Sequence, residues 1–188
     1  MTITASDKNH ITQILSFWFE EITPEHWFTK SDDFDQLLRD QFEGLVIQGL
    51  NGQLDRWAAE KDGCLALILL LDQMTRNIYR DTPKAFAGDE IALALSLRAV
   101  AQKWVENEEI EAKRQFYLMP MMHSEDIAIQ EKSLPLFSTH TSARTYDYAV
   151  RHRDIVARFG HFPHRNAILG RPSSAEELAF LTEPNSSF

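Results

Sequence analysis

The sequence predicts an all-α protein, and three observations predict it. Apolar residues recur at i, i+3, i+4 and i+7 along most long stretches, the spacing of one helix face. No stretch alternates apolar and polar residues with period two, so no sheet is expected. The most apolar run, CLALILLL at 64–71, is rich in Leu and Ala rather than β-branched residues, and it continues at helical spacing through Met74 and Ile78.

Each element follows from this pattern. Ile11, Ile14, Leu15, Trp18, Phe19 and Ile22 form the first apolar stripe, closed by Thr23-Pro24. Phe34, Leu37, Leu38, Phe42, Leu45 and Val46 form the second, with Ser31 or Asp32 as N-cap and Asn51-Gly52 as its end. Asp62-Gly63 is read as the next joint, and the helix after it, apolar on all sides, as the buried centre. Thr82-Pro83 and Gly88 mark further breaks before the stripe Leu93, Leu97, Val100 and Trp104. Pro120 is expected before a helix capped by Ser124, and Pro135 to end or kink that helix. Tyr148, Ile155, Val156 and Phe159 mark a helix stopped by Gly160. In SSAEELAFL a Ser precedes a Glu by three residues in two registers, a capping-box signature.

Length and charge narrow the class. A chain of 188 residues is expected to form one domain, 1–188, ordered over about 8–182, with Glu183 to Phe188 a loose tail. A formal charge of −9 argues against a nucleic-acid partner. One cysteine, Cys64, rules out an intramolecular disulfide. The opening MTITASDKNH lacks the form of a signal peptide, and the apolar runs fall well short of the roughly 20 residues that span a bilayer. A cytoplasmic protein with no membrane partner is expected.

Three polar constellations stand out. In LDQMTRNIYR, Asp72, Arg76 and Arg80 share one helical face, with Gln73 and Asn77 in the adjacent row. They form either an i,i+4 ion pair worth a few tenths of a kcal/mol or an Arg fork presented to a carboxylate or phosphate. In MPMMHSED, His123 is placed just outside a helix N-terminus, where the dipole disfavours imidazolium; it is either an acceptor, base or metal ligand, or a histidine packed under the loop. The third is RHRDIVARFGHFPHRN at 151–166. Asp147, Arg151, Asp154 and Arg158 read as a solvated, self-paired face, while His152 lies in the apolar row. Beyond Gly160, Pro163 opens a helix whose first turn holds His164, Arg165 and Asn166. Cations there oppose the dipole at roughly 0.3–1 kcal/mol each, a cost that a bound anion held by Arg165 and His161 reverses. The alternative is an Arg165 that reaches a carboxylate elsewhere in the chain.

Other motifs fail. The HRD at 152–154 lies mid-helix without a glycine-rich loop or DFG. His161 and His164 lack a completing carboxylate–histidine motif, so no metal is expected, and the sequence names no cofactor. No Ser or Cys sits in a nucleophile motif.

ILSFWF, LDQMTRNIYR, KAFAGDEIAL, FYLMPMMHSED and RFGHFPHRNAILGR together resemble the bacterial family called domain of unknown function 924. The resemblance covers about Ile11 to Leu181. It implies a multihelical right-handed α-α superhelix similar to tetratricopeptide folds, and no activity. The family pattern has Arg where this chain has His161. It retains Arg158, His164, Arg165 and Asn166.

The leading functional expectation is one cleft lined by Arg76, Asn77, Arg80, His123, Glu125, His152, Arg158, His164, Arg165 and Asn166. It would bind a small phosphate- or carboxylate-bearing metabolite, with His123 or His152 as general acid or base. The alternatives are a helical-repeat module gripping an acidic peptide, and a buried polar network with no ligand.

Overall fold

The computed structural model describes residues 2–184, 186 and 187. All regular structure among them is helical, with no strand. Helix α1 (Ala5–Ser16) starts at a capping box in which Thr4 and Asp7 exchange hydrogen bonds, so it begins ahead of the apolar stripe. A π turn, Phe17–Glu21, extends it and buries Phe17 and Trp18. A short α2 (Pro24–Phe28) follows Thr23. Ser31 then caps α3 (Asp32–Leu50) through the Phe34 N–H and sends Phe34, Leu38, Phe42, Leu45 and Val46 into the core.

The centre is the expected apolar helix, in three parts: α4 (Lys61–Ile68), a π turn (Leu69–Met74) and α5 (Thr75–Ile78). Every residue from Gly63 to Thr75 is buried. The wider π turn interrupts the α-helical register. Within it the polar pair Asp72 and Gln73 lies in the core beside Leu69, Leu70 and Leu71.

Asp62-Gly63 is not a joint. The break lies upstream, at the 3₁₀ turn Asp55–Ala59, and Gly63 belongs to α4. Glycine is needed there for closeness: a Cβ at 63 would fall under 3.0 Å from the Trp57 carbonyl oxygen. Gly88 is wedged in the same way against the Leu71 carbonyl. It follows a 3₁₀ turn, Pro83–Phe86, and precedes α6 (Asp89–Ala101).

Helix α6 packs on α4 and the π turn Leu69–Met74, and α7 (Glu111–Met122), α8 (Ile127–His140) and α9 (Ala143–Phe159) each pack on the one before. Two expectations fail here. Pro120 lies inside α7, and α8 is capped by Asp126, whose carboxylate accepts the Ala128 N–H at 2.8 Å; Ser124 only accepts the Asp126 N–H in the loop. Pro135 does not end α8. The proline takes the N–H partner from the carbonyl of Glu131, a residue on the exposed side of the helix.

Helix α9 closes on Gly160 at φ 76°, the left-handed cap. The 3₁₀ turn Pro163–Arg165, α10 (Asn166–Leu169) and α11 (Ala175–Phe180) complete the chain. Ser174, not Ser173, caps α11, with Glu177 completing the box. Ile155, Val156, Phe159, Phe162 and Phe180 form a small second core beneath this segment. In the expected loose tail, Asn185 and Phe188 lie outside the described residues. Ser186 is buried, and its hydroxyl donates to the Leu181 carbonyl. No helix among the described residues is long and apolar enough to cross a membrane.

Candidate active site

Asp72 is the floor of the site. It is fully buried in the π turn. One carboxylate oxygen, Oδ1, meets His123 Nδ1 at 2.7 Å and Arg76 Nη1 at 3.1 Å; the other accepts from the Gln73 amide. Burial alone would raise the Asp72 carboxyl, but the adjacent His123 and Arg76 outweigh it and hold it well below the usual carboxylate range. With Asp72 ionised, His123 Nδ1 is the donor and Nε2 is the nitrogen left for another group.

Two arginines flank this pair. Arg76 meets Asp89 with both terminal nitrogens, each at 3.0 Å. Arg165 donates from Nη1 to the same Asp89 Oδ2 at 3.1 Å, and from Nη2 to the His123 carbonyl at 3.0 Å. Its guanidinium lies against both the Phe86 and Phe162 rings, 4.7 Å from each centroid. Burial, reinforced by the like charge of Arg76, lowers Arg165 to about 10. Its Nε is buried and has no hydrogen-bond partner.

Two more histidines border the cluster. The His152 ring centroid is 6.1 Å from that of His123, and its Nδ1 lies 2.7 Å from the Tyr148 carbonyl. Burial first, then His123, pushes His152 down to about 3. Burial and the neighbouring Arg165 push His164 to about 4. Both are therefore neutral near pH 7 and able to accept or relay a proton only when the surrounding charge changes.

Glu125 ties the two loops of the site together. It forms a two-bond fork with Arg171, at 2.7 and 2.9 Å, and accepts the Phe162 N–H at 2.9 Å. Burial opposes its ionised form, yet Arg171 and that N–H keep its carboxyl below its usual value. Glu125 thus already holds the N-cap residue of the 163–165 turn, where an external anion is expected from sequence.

This arrangement sits within a recognisable family. Residues 14–185 match the family described as bacterial protein of unknown function, DUF924. The chain belongs to DUF924. A solved structure described as a protein of unknown function from Agrobacterium tumefaciens is similar to this DUF924 chain at 35% identity and a TM-score of 0.88. The similarity covers 93% of this chain and 98% of that one. No match was found among curated proteins.

In this DUF924 protein the ten candidate residues separate into four places. Arg76, His123, His152, His164 and Arg165 gather around Asp72 and Asp89, with Glu125 at their edge. Asn77 and Arg80 turn away from Arg76 and bind Asp35 of α3, Asn77 at 2.8 Å. They border a separate polar depression of about 320 Å³ together with Lys30 and Arg39. Arg158 is on the surface, paired with Glu176. Asn166 is buried and donates to Glu177, which also holds His161. The four-residue spacing misleads for Arg80 because the helix ends at Ile78, so a continued helical face does not exist there.

His123 is not outside a helix N-terminus. It caps the C-terminal end of α7, so the dipole argument made from sequence loses its premise. Asp89, Phe86, Phe162 and Arg171 are the participants that spacing does not reveal. Asp89 stands in the family stretch KAFAGDEIAL, directly after the wedged Gly88, and that position is its one sequence signal.

Proposed function

We propose that the Asp72–His123 pair, with Arg76 and Arg165 beside it, binds a small anionic metabolite and performs acid–base chemistry on it. The observation that carries this reading is a carboxylate buried completely and spent on orienting one histidine nitrogen, which is the base-and-orienter half of a proton-transfer site. The π turn supports it, because such turns interrupt helices frequently at functional positions. The density of buried charge supports it as well, since apolar packing would serve stability at least as well. In this reading the arginines bind the anion, His123 Nε2 exchanges the proton and Asp72 stabilises the imidazolium.

A second reading has an observation of its own. Arg76, Arg165 and Arg171 each already have a carboxylate within the chain. Complete pairing is what a purely structural network requires. Melting temperature against a panel of small carboxylates and phosphomonoesters separates the two. A ligand at about a hundred times its dissociation constant adds about 2.7 kcal/mol, a rise of roughly 5–11 °C for a chain this long. The catalytic reading requires such a rise in the wild type and its loss in Arg165→Gln. A flat response to every compound supports the network.

A further inference from the structure

We infer that Asp89 occupies the place of a ligand carboxylate, and that the cluster takes a small carboxylic acid by exchanging it for Asp89 between Arg76 and Arg165. The inference rests on the anion-site reading above and names the ligand class and the group it displaces.

Geometry is the first support. Asp89 Oδ2 accepts from Arg76 Nη2 and Arg165 Nη1, while Asp89 Oδ1, 3.0 Å from Arg76 Nη1, is buried without a hydrogen-bond partner, so the internal carboxylate fills the place between the two guanidinium groups incompletely. Arg165 cannot swing freely to seek another partner, because it is buried and the Phe86 and Phe162 rings both lie against its guanidinium. Its Nε lies buried without a hydrogen-bond partner, on a residue only 6% exposed. With one Asp89 oxygen shared between two arginines and the other unpaired, the pairing of these groups is unfinished, and a carboxylate not tethered to α6 is free to complete more of it.

Charge is the second. Arg76 and Arg165 face Asp72 and Asp89, two positive charges against two negative. An added anion, with all four in place, would leave a buried negative charge uncompensated, at a cost of several kcal/mol. Exchange avoids that excess. Of the two carboxylates, Asp72 is completely buried and shared with His123, whereas the Asp89 side chain is 21% exposed. Asp89 is thus the one at the rim. A monocarboxylate restores the count one for one, whereas a phosphate dianion overshoots it by one.

Position is the third. Asp89 is the first residue of α6 and follows the 3₁₀ turn that carries Phe86. Phe86 lies over both Arg76 and Arg165. The cover and the internal carboxylate therefore belong to one short segment, 83–89, and one displacement moves both.

Chemical rescue tests this. Asp89→Ala and the isosteric Asp89→Asn are melted in sodium acetate, sodium formate and sodium chloride of equal ionic strength. The expected result is a lower melting temperature in both variants that acetate and formate raise by several degrees more than they raise the wild type, while chloride does not. Acetate affinity in Asp89→Asn, measured by calorimetry, is expected to exceed that of the wild type at least tenfold, and Arg165→Gln added to Asp89→Asn abolishes it. If Asp89→Ala does not fold, the calorimetry on Asp89→Asn decides alone. Equal acetate responses in wild type and variants overturn the inference. Should that occur while a panel compound still binds the wild type through Arg165, the anion site stands and only the exchange is refuted. Should no anion affect the wild type or either variant, both readings fall.

Discussion

His123 Nδ1 and Asp72 Oδ1 meet at 2.7 Å across 51 residues of chain, joining the end of α7 to the π turn at the centre of the molecule. Asp72→Asn keeps the shape and removes the charge that both His123 and Arg76 face. Breaking a buried pair by neutralising one partner costs about 3–5 kcal/mol. Urea denaturation is expected to show a loss of that size. Arg158→Ala, which removes a surface pair, is expected to change stability by no more than about 1 kcal/mol. Similar small losses in both variants would show that the Asp72 contacts are not tightly held.

The buried histidines set a pH dependence. His152 and His164 have folded values of about 3 and about 4, against 6.5 unfolded. Their folded values are depressed, so as pH falls below 6.5 the unfolded chain takes up protons that the folded chain refuses. Stability is therefore complete above about pH 6.5 and declines towards pH 4, with each histidine adding up to about 1.4 kcal/mol per pH unit. Carboxylates such as Asp72 add their own loss only below their ordinary value of 3.8. Stability measured at pH 7.5, 6 and 5 checks this, and His152→Gln is expected to flatten the slope by up to one proton. A stability that is constant from pH 7.5 to 5 would contradict it.

Gly63 and Gly88 are fixed by contact with backbone rather than by their own torsion angles. A Cβ at either position would come under 3.0 Å from a carbonyl oxygen, of Trp57 and of Leu71 respectively. Alanine at each is expected to destabilise by about 2–4 kcal/mol through forced backbone movement. Gly44, with nothing within 4 Å of its added Cβ, serves as control. Gly44→Ala is expected to stabilise α3 by about 0.5–1 kcal/mol. Thermal melts of the three variants rank them.

Glu125 and Arg171 hold the 124–126 loop to the segment after α9. Alanine at either leaves the other partly buried without its ion partner, held only by the Phe162 backbone. The two losses are expected to be strongly non-additive, with a double-mutant coupling of about 1–3 kcal/mol. The Glu125→Ala variant also releases the Phe162 N–H and is expected to weaken whatever anion binding Arg165 provides. Additive losses would mean that the fork is not maintained in solution.

Much of the fold was legible because helical spacing and turn chemistry agree. Ser31, Gly160 and the Ser174–Glu177 box all act where their residue types suggest. The errors have local physical causes. Asp62-Gly63 has the composition of a turn, yet Gly63 is there to let two backbones touch. Pro120 lies inside α7, which spacing around a proline does not announce. In the site, the Arg and His residues stood out because they are costly in an apolar setting. Their partners did not. Asp89 is 76 residues from Arg165, and Glu125 is 46 from Arg171, so no periodicity relates them. Spacing groups Arg80 with Arg76, but the helix stops between them and Asp35 takes Arg80.

The central claim is that His123 Nε2 faces a bound anion held by the neighbouring arginines. Histidine side-chain ¹⁵N spectra of the wild type, recorded while small carboxylates and phosphomonoesters are added in turn, test it most directly. The account predicts that at least one compound shifts the His123 Nε2 resonance with saturation, and that the shift disappears in Arg165→Gln while that variant stays folded. Histidine resonances that respond to none of the compounds would contradict it and identify the cluster as a structural network.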